Sequence, residues 1–436
     1  MSIDHPPIAL HVTSELATLR EVLIHRPGPE MDLMVPDNLV AFIEDATTGI
    51  PRSNPDYLLF DDLVLLSRLR AEHDQLVAVL QATCGRGATH EVRDLLRRLF
   101  HQADVREALI EHALREETDV PHDGVASLLN ALEPHELVKV LLRGSTASGR
   151  RVFRWPLPNL LFARDLMAVV GSHAVATYAR HPARRREMAL MRALISAGDV
   201  VMPTTVIDVG IVCGDRPAIA NPAIEGGDVM LPSPDTVCIG VGERTQRASA
   251  IEAAIRLLAS NPALARVHIV TLRAARSTMH LDTVFTLVDP ATCLVYAPIL
   301  LSPEAARVET LDRATGELPR PRDGGLLDVL REDGLALRAI ACGGDDPVHQ
   351  AREQWTDGAN AFALAPGKIL LYQRNERTLA RLNAEGFEVL TAAEFVRNAP
   401  LLLGRAERKL VVALDGAELS RGRGGPRCLT LPLRRD

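Results

Sequence analysis

Apolar and polar residues alternate in two different ways along this chain of 436 residues. From about residue 91 to residue 143, apolar positions recur every three to four residues, as in "HEVRDLLRRLFHQ" and "EPHELVKVLLRG", which is the period of amphipathic helices. The Gly/Ser stretch "GSTASGR" ends this region. The pattern predicts a compact all-helical bundle over about 74–149, inserted into another domain made of residues 1–73 and 150–436.

The rest of the chain alternates short strands with helices. Runs rich in β-branched residues, such as "TVCIGVG", "VHIVTL" and "KILLYQ", are interspersed with helical segments such as "RASAIEAAIRLLAS". This order is typical of an α/β fold. Strand–strand–helix units recur without a clean sequence repeat, and the pattern does not distinguish a doubly wound sheet from a closed ring.

Composition narrows the class of protein. Hydrophobic residues make up 47% of the chain and charged residues 24%, which suits a globular protein with a large core. The net charge of −7 argues against a nucleic-acid partner. No apolar run approaches the roughly 20 residues of a membrane span, and the N-terminus lacks the pattern of a signal peptide. We therefore expect a cytoplasmic protein with neither nucleic acid nor membrane as a partner.

The six cysteines are far apart and form no Cys-x-x-Cys pair or zinc-finger spacing, so we expect free thiols and no metal. Cys428 stands out because it follows two glycines, a proline and an arginine in "GGPRCLTLPL". We predict that this thiol is presented on a tight loop, where nearby Arg423 favours the thiolate. The other five lie in or beside apolar runs and are interpreted as core residues: Cys84, Cys213, Cys238, Cys293 and Cys342.

The strongest local motif is "STMHLDTVFTLVD". In a strand, residues two apart share a face, so His280 and Asp282 are predicted to project together. An imidazole beside a carboxylate suits acid–base chemistry or cation binding. A buried His–Asp pair without a catalytic role is the alternative. A metal site is a further possibility, but no third ligand stands at a usual spacing.

Two further motifs place carboxylates next to strands. In "PLPNLLFARDLMAVV", Asp165 comes directly before an apolar run and Asn159 lies in a Pro-bounded loop, although a surface turn with an ordinary ion pair has the same pattern. In "NPAIEGGDVMLPSPDTV", two glycines separate Glu225 from Asp228 and permit close backbone approach and positive φ. A Gly-rich turn with solvated acids is the alternative there.

Basic residues precede two predicted helices. The stretch "GVGERTQRASAIEAAI" begins like a dinucleotide-binding turn, but Thr245 stands where the third glycine belongs. We therefore interpret Arg244 as a residue that binds an anion. Arg184, at the start of the helix in "HPARRREMALM", is a second candidate for that role. Both arginines are expected to lie away from the carboxylate-bearing motifs.

These candidates together supply one thiol, one imidazole and three carboxylates. Such a set is unsuited to an anionic or neutral acyl substrate, but it fits a planar guanidinium with several N–H donors, because one carboxylate accepts two of them side by side. The predicted chemistry is attack of the thiolate on the guanidinium carbon, followed by departure of an amine protonated by the histidine. Water then hydrolyses the thiouronium.

The motifs, in this order, resemble the arginine deiminase family of the guanidine-modifying (pentein) superfamily. The matching stretches run from end to end of the chain and include "LREVLIHRPGPE", "LPNLLFARD", "HPARRRE", "IEGGDVM", "GERT", "MHLDTVFT", "REQWTDGANAFALAPG" and "SRGRGGPRCLTLPLRRD". The resemblance implies a five-bladed α/β propeller of pseudo-fivefold ββαβ units with an inserted helical bundle and an axial site. Ala163 stands where the family often has Thr, and Pro426-Arg427 where Gly-His is also seen.

The resemblance also implies a role for each site residue. Cys428 would be the nucleophile and His280 the acid–base group. Glu225 would orient His280 and help to hold the guanidinium, and Asp165 and Asp282 would bind its N–H groups. The α-carboxylate end of the substrate would be bound by Asn159, Arg184 and Arg244. Arg423 would lie near the thiol.

The leading hypothesis is hydrolysis of free L-arginine to L-citrulline and ammonia by a homo-oligomer (dimer or tetramer), without metal or organic cofactor. A sister activity on agmatine or methylated arginine, or amidino transfer to an acceptor amine, is the first alternative. A regulatory or adhesive protein that lost catalysis is disfavoured, because every expected polar residue is present. A nucleotide binder is disfavoured by the incomplete glycine pattern.

Overall fold

The computed structural model of the chain describes residues 6–45, 47–117, 124–302 and 306–436. Its α-helices are α1 (Leu66–Cys84), α2 (Val92–Leu99), α3 (Ala103–Arg115), α4 (Val125–Asn130), α5 (Pro134–Arg143), α6 (Arg185–Ser196), α7 (Arg247–Ser260), α8 (Ala297–Leu300), α9 (Leu326–Glu332), α10 (Pro347–Trp355), α11 (Glu376–Ala384) and α12 (Ala392–Leu403). Its first ten β-strands are β1 (Leu19–Ile24), β2 (Phe42–Glu44), β3 (Pro51–Ser53), β4 (Thr89–Glu91), β5 (Met167–Val170), β6 (His173–Ala176), β7 (Val206–Ile207), β8 (Val229–Ser233), β9 (Thr236–Val241) and β10 (Arg266–Thr271). The others are β11 (Phe285–Asp289), β12 (Thr292–Val295), β13 (Arg307–Asp312), β14 (Gly316–Pro321), β15 (Arg338–Ala341), β16 (Phe362–Ala365), β17 (Lys368–Tyr372), β18 (Glu388–Thr391), β19 (Leu410–Leu414) and β20 (Leu431–Arg435).

Within the described ranges, the strands form five sheets of one common order and a small hairpin, β2–β3. In each sheet an antiparallel pair is followed by a strand that runs parallel to the second member. These trios are β5-β6-β7, β8-β9-β10, β11-β12-β15, β16-β17-β19 and β20-β1-β4. At least one helix separates the second strand from the third in chain order, so each unit reads ββαβ. The last unit joins both ends of the chain.

Burial explains why the second strand of a unit accepts a parallel neighbour. Strands β9 and β17 have no exposed residue, as parallel pairing between covered faces requires. In the β9–β10 pair, Val237 lies opposite Val267 and Ile239 opposite Ile269, so that apolar side chains stack in register. The chain thus has a mixed α/β fold, in agreement with the alternation of strands and helices in its sequence.

Helices α2 to α5 follow one another, and no strand separates them in the described part of 92–143. Helix α2 packs against α5, and α3 packs against α4 and α6. Helix α1 behaves differently, because it packs on α12 and β1 and connects the parallel strands β1 and β4. The predicted bundle boundary at residue 74 thus falls inside α1. Residues 118–123 of the predicted bundle lie outside the described residues.

A short turn precedes the first strand of each unit. Three of these turns are 3₁₀ helices, Ala163–Leu166 before β5, Gly226–Asp228 before β8 and Leu281–Thr283 before β11. Turns at 356–359 and 426–429 precede β16 and β20. The fold therefore repeats one position, the entry to the first strand, where polar side chains gather. None of the helices in the described ranges has the length and apolar character needed to span a bilayer.

Candidate active site

The turns before the first strands meet at one buried place. Nε2 of His280 lies 3.0 Å from Oε2 of Glu225, and its Nδ1 lies 3.7 Å from Oδ1 of Asp165. Sγ of Cys428 lies 3.7 Å from Oδ2 of Asp282. All five side chains are buried. The structure thus brings together, from four different sheets, the five residues that the sequence suggested for chemistry.

Glycine makes the close approach at the Glu225 turn possible. A Cβ on Gly227 would lie 2.7 Å from Nδ1 of His280 and 3.0 Å from Oδ1 of Asp165, and a Cβ on Gly226 would lie 2.1 Å from the carbonyl oxygen of Arg164. The prediction of close backbone approach is therefore confirmed. The prediction of positive φ is wrong, because neither glycine has one and the turn is 3₁₀.

His280 and Asp282 were predicted to lie on a strand. They lie instead in a 3₁₀ turn that ends before β11. The carbonyl oxygen of His280 accepts hydrogen bonds from the backbone N–H and the hydroxyl of Thr283, which closes the turn. The prediction that the two side chains share one face of a strand is therefore wrong. Their side chains still reach one site because the turn directs them there independently of sheet alternation.

His280 is positively charged in this environment. Burial opposes its protonation, but Asp165, Glu225 and Asp228 outweigh burial and raise the pKa of His280 to about 9. Burial also acts against the ionised form of Glu225, yet Arg244, His280 and Arg184 hold the pKa of that carboxyl well below its usual range. The pair is therefore an ionised carboxylate that orients an imidazolium, which can donate a proton to a leaving group.

Cys428 is a buried neutral thiol and not an exposed thiolate. Only 4% of the residue is accessible to solvent. Burial, together with Asp282, Asp165 and Asp357, raises the pKa of the thiol well above its ordinary value. Arg423 itself acts in favour of the thiolate, as predicted, because its guanidinium and a thiolate attract each other, but burial and the three carboxylates outweigh that attraction in the free protein.

Each of the three site carboxylates has a hydrogen-bond donor on one oxygen and, among the described residues, none on the other, although Oδ1 of Asp165 faces Nδ1 of His280 at 3.7 Å. Oδ2 of Asp165 accepts from Arg184 at 2.7 Å, Oδ2 of Asp282 accepts from Arg427 at 2.8 Å, and Oε2 of Glu225 contacts His280. The second oxygens (Oδ1, Oδ1 and Oε1, respectively) have no hydrogen-bond partner among the described residues. Buried carboxylate oxygens without partners are costly, so the cluster favours a cation that carries several N–H donors.

Arg184 and Arg244 lie beside these carboxylates and not away from them, so that expectation is wrong. Arg184 is the N-cap residue of α6, and its Nη1 lies 2.7 Å from Asp165 and 3.3 Å from Glu225. Its Nε donates to Glu187 at 2.9 Å. Arg244 precedes α7, with Nη1 3.6 Å from Oε2 of Glu225, and its Nε has no partner in the described ranges. Local sequence correctly placed both near helix starts but did not reveal this proximity.

Asn159 and Arg423 lie close to the same cluster. The carbonyl oxygen of Asn159 accepts from Nη2 of Arg184 at 3.3 Å, while its side-chain amide donates to the carbonyl of Leu58 at 2.7 Å. Arg423 has left-handed backbone, φ 63°, and its guanidinium carbon lies 3.8 Å from the centre of the Trp355 ring. Nη2 of Arg423 is buried without a hydrogen-bond partner in the described part of the chain.

Sequence reasoning missed Asn360 and Asp357. Oδ1 of Asn360 accepts from the backbone N–H groups of Arg427 and Cys428 at 3.0 and 3.1 Å, and Nδ2 donates to the carbonyl of Asp282 at 3.0 Å. Asn360 thus ties the cysteine turn to the Asp282 turn. Burial, partly opposed by Arg423, raises the pKa of Asp357 to about 7. The available signal was position, because "WTDGAN" precedes β16 as "IEGGD" precedes β8.

The remaining cysteines are free thiols. Cys238, Cys293 and Cys342 are buried and Cys84 is half-buried, in agreement with packing roles. Cys213 is exposed, so its interpretation as a core residue is wrong. Its apolar neighbours in "IVCGD" lie in a loop, where Cys213 forms an isolated bridge with Arg216, and not in a buried strand.

Ligand-type atoms of Asp165, Glu225 and His280 all lie within 4.8 Å of one another, close enough to hold a metal ion. Arg184 already places a positive charge against both carboxylates, and His280 is protonated at neutral pH. A protonated imidazole cannot be a metal ligand, and Arg184 already binds Oδ2 of Asp165, so both contacts oppose a metal ion here, although the geometry alone permits one.

The fold and the site define a class of protein. A buried cysteine, histidine and carboxylate cluster at the strand entries of an α/β fold matches the guanidine-modifying class that the sequence resembles. The family model "Arginine deiminase" matches residues 129–435. The chain is 30% identical to the arginine deiminase of Listeria monocytogenes serotype 4a (strain HCC23), over 98% of both chains. It is 33% identical to that of Mycobacterium tuberculosis (strain CDC 1551 / Oshkosh), over 98% of this chain and 99% of the relative.

The chain belongs to the arginine deiminase family of enzymes. Among solved structures, it is similar to the N-terminal domain of ArgZ, an arginine dihydrolase from cyanobacteria, with 12% identity, a TM-score of 0.49, and coverage of 96% of this chain and 98% of that one. The assignment rests on the family model and the sequence relatives.

Proposed function

We propose that this chain hydrolyses free L-arginine to L-citrulline and ammonia through a covalent intermediate on Cys428. One observation carries the proposal: a buried thiol and an imidazolium adjoin three carboxylates, each with an oxygen that accepts no hydrogen bond from the described residues. A guanidinium is planar, positively charged and has five N–H donors, so it complements this set. Similarity to proteins named arginine deiminase supports the same substrate.

Substrate binding activates the nucleophile in this proposal. The guanidinium pairs with the free oxygens of Asp165 and Asp282, the residues whose negative charges raise the pKa of Cys428. Their neutralisation by a substrate cation favours the thiolate, because an opposite charge nearby stabilises the ionised form. The nucleophile is therefore generated when the substrate is in place, and it is protected as a thiol at other times.

The chemical steps then follow from the protonation states. As the guanidinium binds, the thiol of Cys428 loses its proton to water, because His280 is already protonated. The thiolate then attacks the guanidinium carbon, and the C–S bond forms as the carbon becomes tetrahedral. His280 gives its proton to one terminal nitrogen, the C–N bond breaks and ammonia leaves, which yields a thiouronium. Neutral His280 next takes a proton from water, which attacks the same carbon. The C–S bond then breaks as the hydroxyl proton of the intermediate passes to the departing sulfur, which releases neutral citrulline and restores the thiol of Cys428 and the imidazolium of His280. The released ammonia takes up the proton that the thiol gave to water.

We assign recognition of the α-carboxylate mainly to Arg244. Its Nη1 lies 3.6 Å from Glu225, its buried Nε has no hydrogen-bond partner in the described ranges, and burial lowers the pKa of its guanidinium. An anion beside it offsets that cost. We assign Arg184 as the second group that binds the α-carboxylate, because its Nη2 makes only a 3.3 Å hydrogen bond, to the carbonyl oxygen of Asn159. Arg423 contributes positive charge near the thiol.

The fold is proposed to be a five-bladed α/β propeller. Support comes from the ββαβ order that recurs in the five sheets and from the convergence of the turns before their first strands. We also propose that residues 1–73 and 150–436 form the catalytic domain and that 74–149 contains an inserted bundle. The core of this bundle would be α2 to α5, because α1 connects β1 and β4, which are neighbours in the sheet β20-β1-β4.

We further propose a cytoplasmic homo-oligomer, a dimer or tetramer. Free thiols suit a reducing compartment. Exposed apolar side chains at Ile211 and Val212 favour association with another protein surface. Sedimentation of the purified protein measures the oligomeric state.

The proposed reaction predicts one citrulline and one ammonia for each arginine consumed. Incubation of the purified protein with L-arginine, followed by quantification of both products and of ornithine, tests it. An amidinotransferase would release ornithine and require an acceptor amine. Arginine left unconsumed, with turnover of methylated arginine or agmatine instead, would favour a sister activity.

Metal removal is expected to leave turnover unchanged, because Arg184 and protonated His280 already neutralise the carboxylates that would hold an ion. The measurement is citrulline formation after exhaustive dialysis against a chelator, with and without added divalent ions. Loss of activity that zinc or manganese restores would make Asp165, Glu225 and His280 metal ligands and contradict the proposal.

The ligand-free thiol is expected to react slowly with iodoacetamide at neutral pH. Because the pKa of Cys428 is well above its ordinary value, the alkylation rate should still rise beyond pH 9. Mass spectrometry of the Cys428 peptide measures the rate, and the exposed Cys213 serves as an internal reference. A half-maximal rate at or below pH 7 would show a preformed thiolate.

A further inference from the structure

Arg427, which directly precedes the proposed nucleophile, connects two carboxylates inside the protein. Only 1% of the surface of Arg427 is exposed to solvent. Nη1 donates to Oδ2 of Asp282 at 2.8 Å, while Nε and Nη2 donate to the carboxylate of Glu15 at 3.1 and 3.0 Å. The two remaining N–H groups reach the carbonyls of Gly227 and Val229 at 3.4 and 3.0 Å. All five donors are thus used, so the guanidinium has one orientation.

Glu15 holds the Nε and Nη2 end of the Arg427 guanidinium, opposite the end that binds Asp282. It lies ahead of β1, and its backbone N–H donates to the carbonyl of Leu231 at 2.9 Å. Burial acts against its ionisation, but Arg427 and Arg164 outweigh burial and lower the pKa of Glu15 to about 2. Glu15 is therefore ionised at neutral pH. An N-terminal residue outside the sequence motifs thereby acts on the carboxylate beside the thiol.

We propose that Arg427, held by Glu15, is a positioning residue that directs Asp282 toward the substrate. The hydrogen bond from Arg427 to Oδ2 restricts rotation of the Asp282 carboxylate, and Oδ1, which has no hydrogen-bond partner among the described residues, is the oxygen left for the guanidinium. The inference rests on the proposed function, in which Asp282 binds that group. The positive charge of Arg427 also offsets Asp282, which otherwise acts directly on Sγ of Cys428 at 3.7 Å.

Arg435 supplies a matched control. It is buried next to Arg427 and Glu15, and donates to the carbonyls of Ala17 and Ala363 at 2.7 and 2.8 Å. No hydrogen bond or ion pair of the described residues joins it to a site carboxylate. Its replacement therefore removes a buried guanidinium of similar size without releasing Asp282.

The test compares R427M, R427K, E15Q and R435M with the wild type. The measurements are kcat and KM for arginine, and the pH dependence of Cys428 alkylation in the free protein. We expect R427M to lower kcat/KM by roughly 10- to 100-fold, the usual scale for loss of a group that orients a site residue. Its alkylation midpoint should move to higher pH, because Asp282 loses its positive partner while Asp165, Asp357 and Arg423 are unchanged. R427K should retain the wild-type midpoint but lose kcat, since one ammonium cannot bind both carboxylates.

E15Q should lower kcat/KM by less than R427M does, but it should not raise the alkylation midpoint, because it removes a negative charge rather than a positive one. R435M should change neither quantity. A kcat/KM within about twofold of the wild type in both Arg427 variants, or an unmoved midpoint in R427M, would overturn the proposal. If R427M does not fold, R427K and E15Q decide the same question through kcat. Failure of the proposed function is distinguishable, because the wild type itself would then form no citrulline, whereas the alkylation comparison still reports on Asp282.

Discussion

Replacement of Cys428 with Ala will abolish arginine turnover while the fold is retained. The thiol supplies the bond to carbon on which both half-reactions depend, so no other group in the site replaces it. Loss of a nucleophile in a hydrolase typically costs roughly 10⁶-fold in kcat. The rate of citrulline formation should therefore fall below detection. The packing cost is small, because only one sulfur atom is removed from a hydrophobic cluster that includes Leu161, Phe162 and Leu429.

Cys238→Ala is the matched control for this variant. Cys238 is also fully buried, but it lies on β9 among apolar side chains. The Cys238→Ala variant should retain turnover, even if its melting temperature falls by as much as that of Cys428→Ala. Acid quench of wild-type turnover should trap substrate-derived mass on the Cys428 peptide. Turnover near the wild-type rate in Cys428→Ala, or trapped mass on another cysteine peptide, would contradict the covalent mechanism.

Agmatine, which lacks the α-carboxylate, should be a far poorer substrate than arginine. Arg244 is buried, its Nε has no hydrogen-bond partner among the described residues, and the Glu225 carboxylate 3.6 Å from its Nη1 is shared with Arg184 and His280. Its charge is therefore only partly balanced without the α-carboxylate, and incompletely paired buried charges cost several kcal/mol. Since each ~1.4 kcal/mol is tenfold, kcat/KM for agmatine should be lower by roughly a hundredfold or more.

Two substitutions separate the ends of the substrate. Arg244→Leu should narrow the gap, because it impairs arginine much more than agmatine. Asp165→Ala should impair both alike, because both carry the same guanidinium and Oδ1 of Asp165 is assigned to that group. The measurement is kcat/KM for each substrate with each variant. Comparable values for the two substrates in the wild type would refute the assignment of Arg244 and favour a sister guanidine.

Much of the site was predictable because its motifs are local. Each carries a polar residue beside a strand entry, as Asp165 before β5 and Cys428 before β20, and such positions can be recognised from a few neighbouring letters. Asn360 has the same position before β16, yet nothing in "DGAN" indicates that its amide binds two other turns. Its function depends on partners far away in the chain, which local pattern does not contain.

The backbone conformation at these entries was less predictable. His280 and Asp282 were expected on one strand face, but three residues before β11 form a 3₁₀ turn closed by Thr283. Apolar alternation continues through the turn, so sequence periodicity does not locate the start of the strand. The same limitation affects α1, whose helical period resembles that of α2 to α5 although it connects strands of a sheet.

The sequence alone determined the helix and strand content, the reactive residue types and the resemblance to a family, because these depend on neighbouring residues. Charge states were decided by the tertiary structure. The thiol of Cys428 is neutral because it is buried beside three aspartates from distant turns, and His280 is protonated because Asp165, Glu225 and Asp228 surround it. Likewise, Glu15 and Arg427 are 412 positions apart, and only folding brings them to one carboxylate beside the nucleophile. Electrostatic free energy depends on distance and burial, and both are set by the packing of the whole chain.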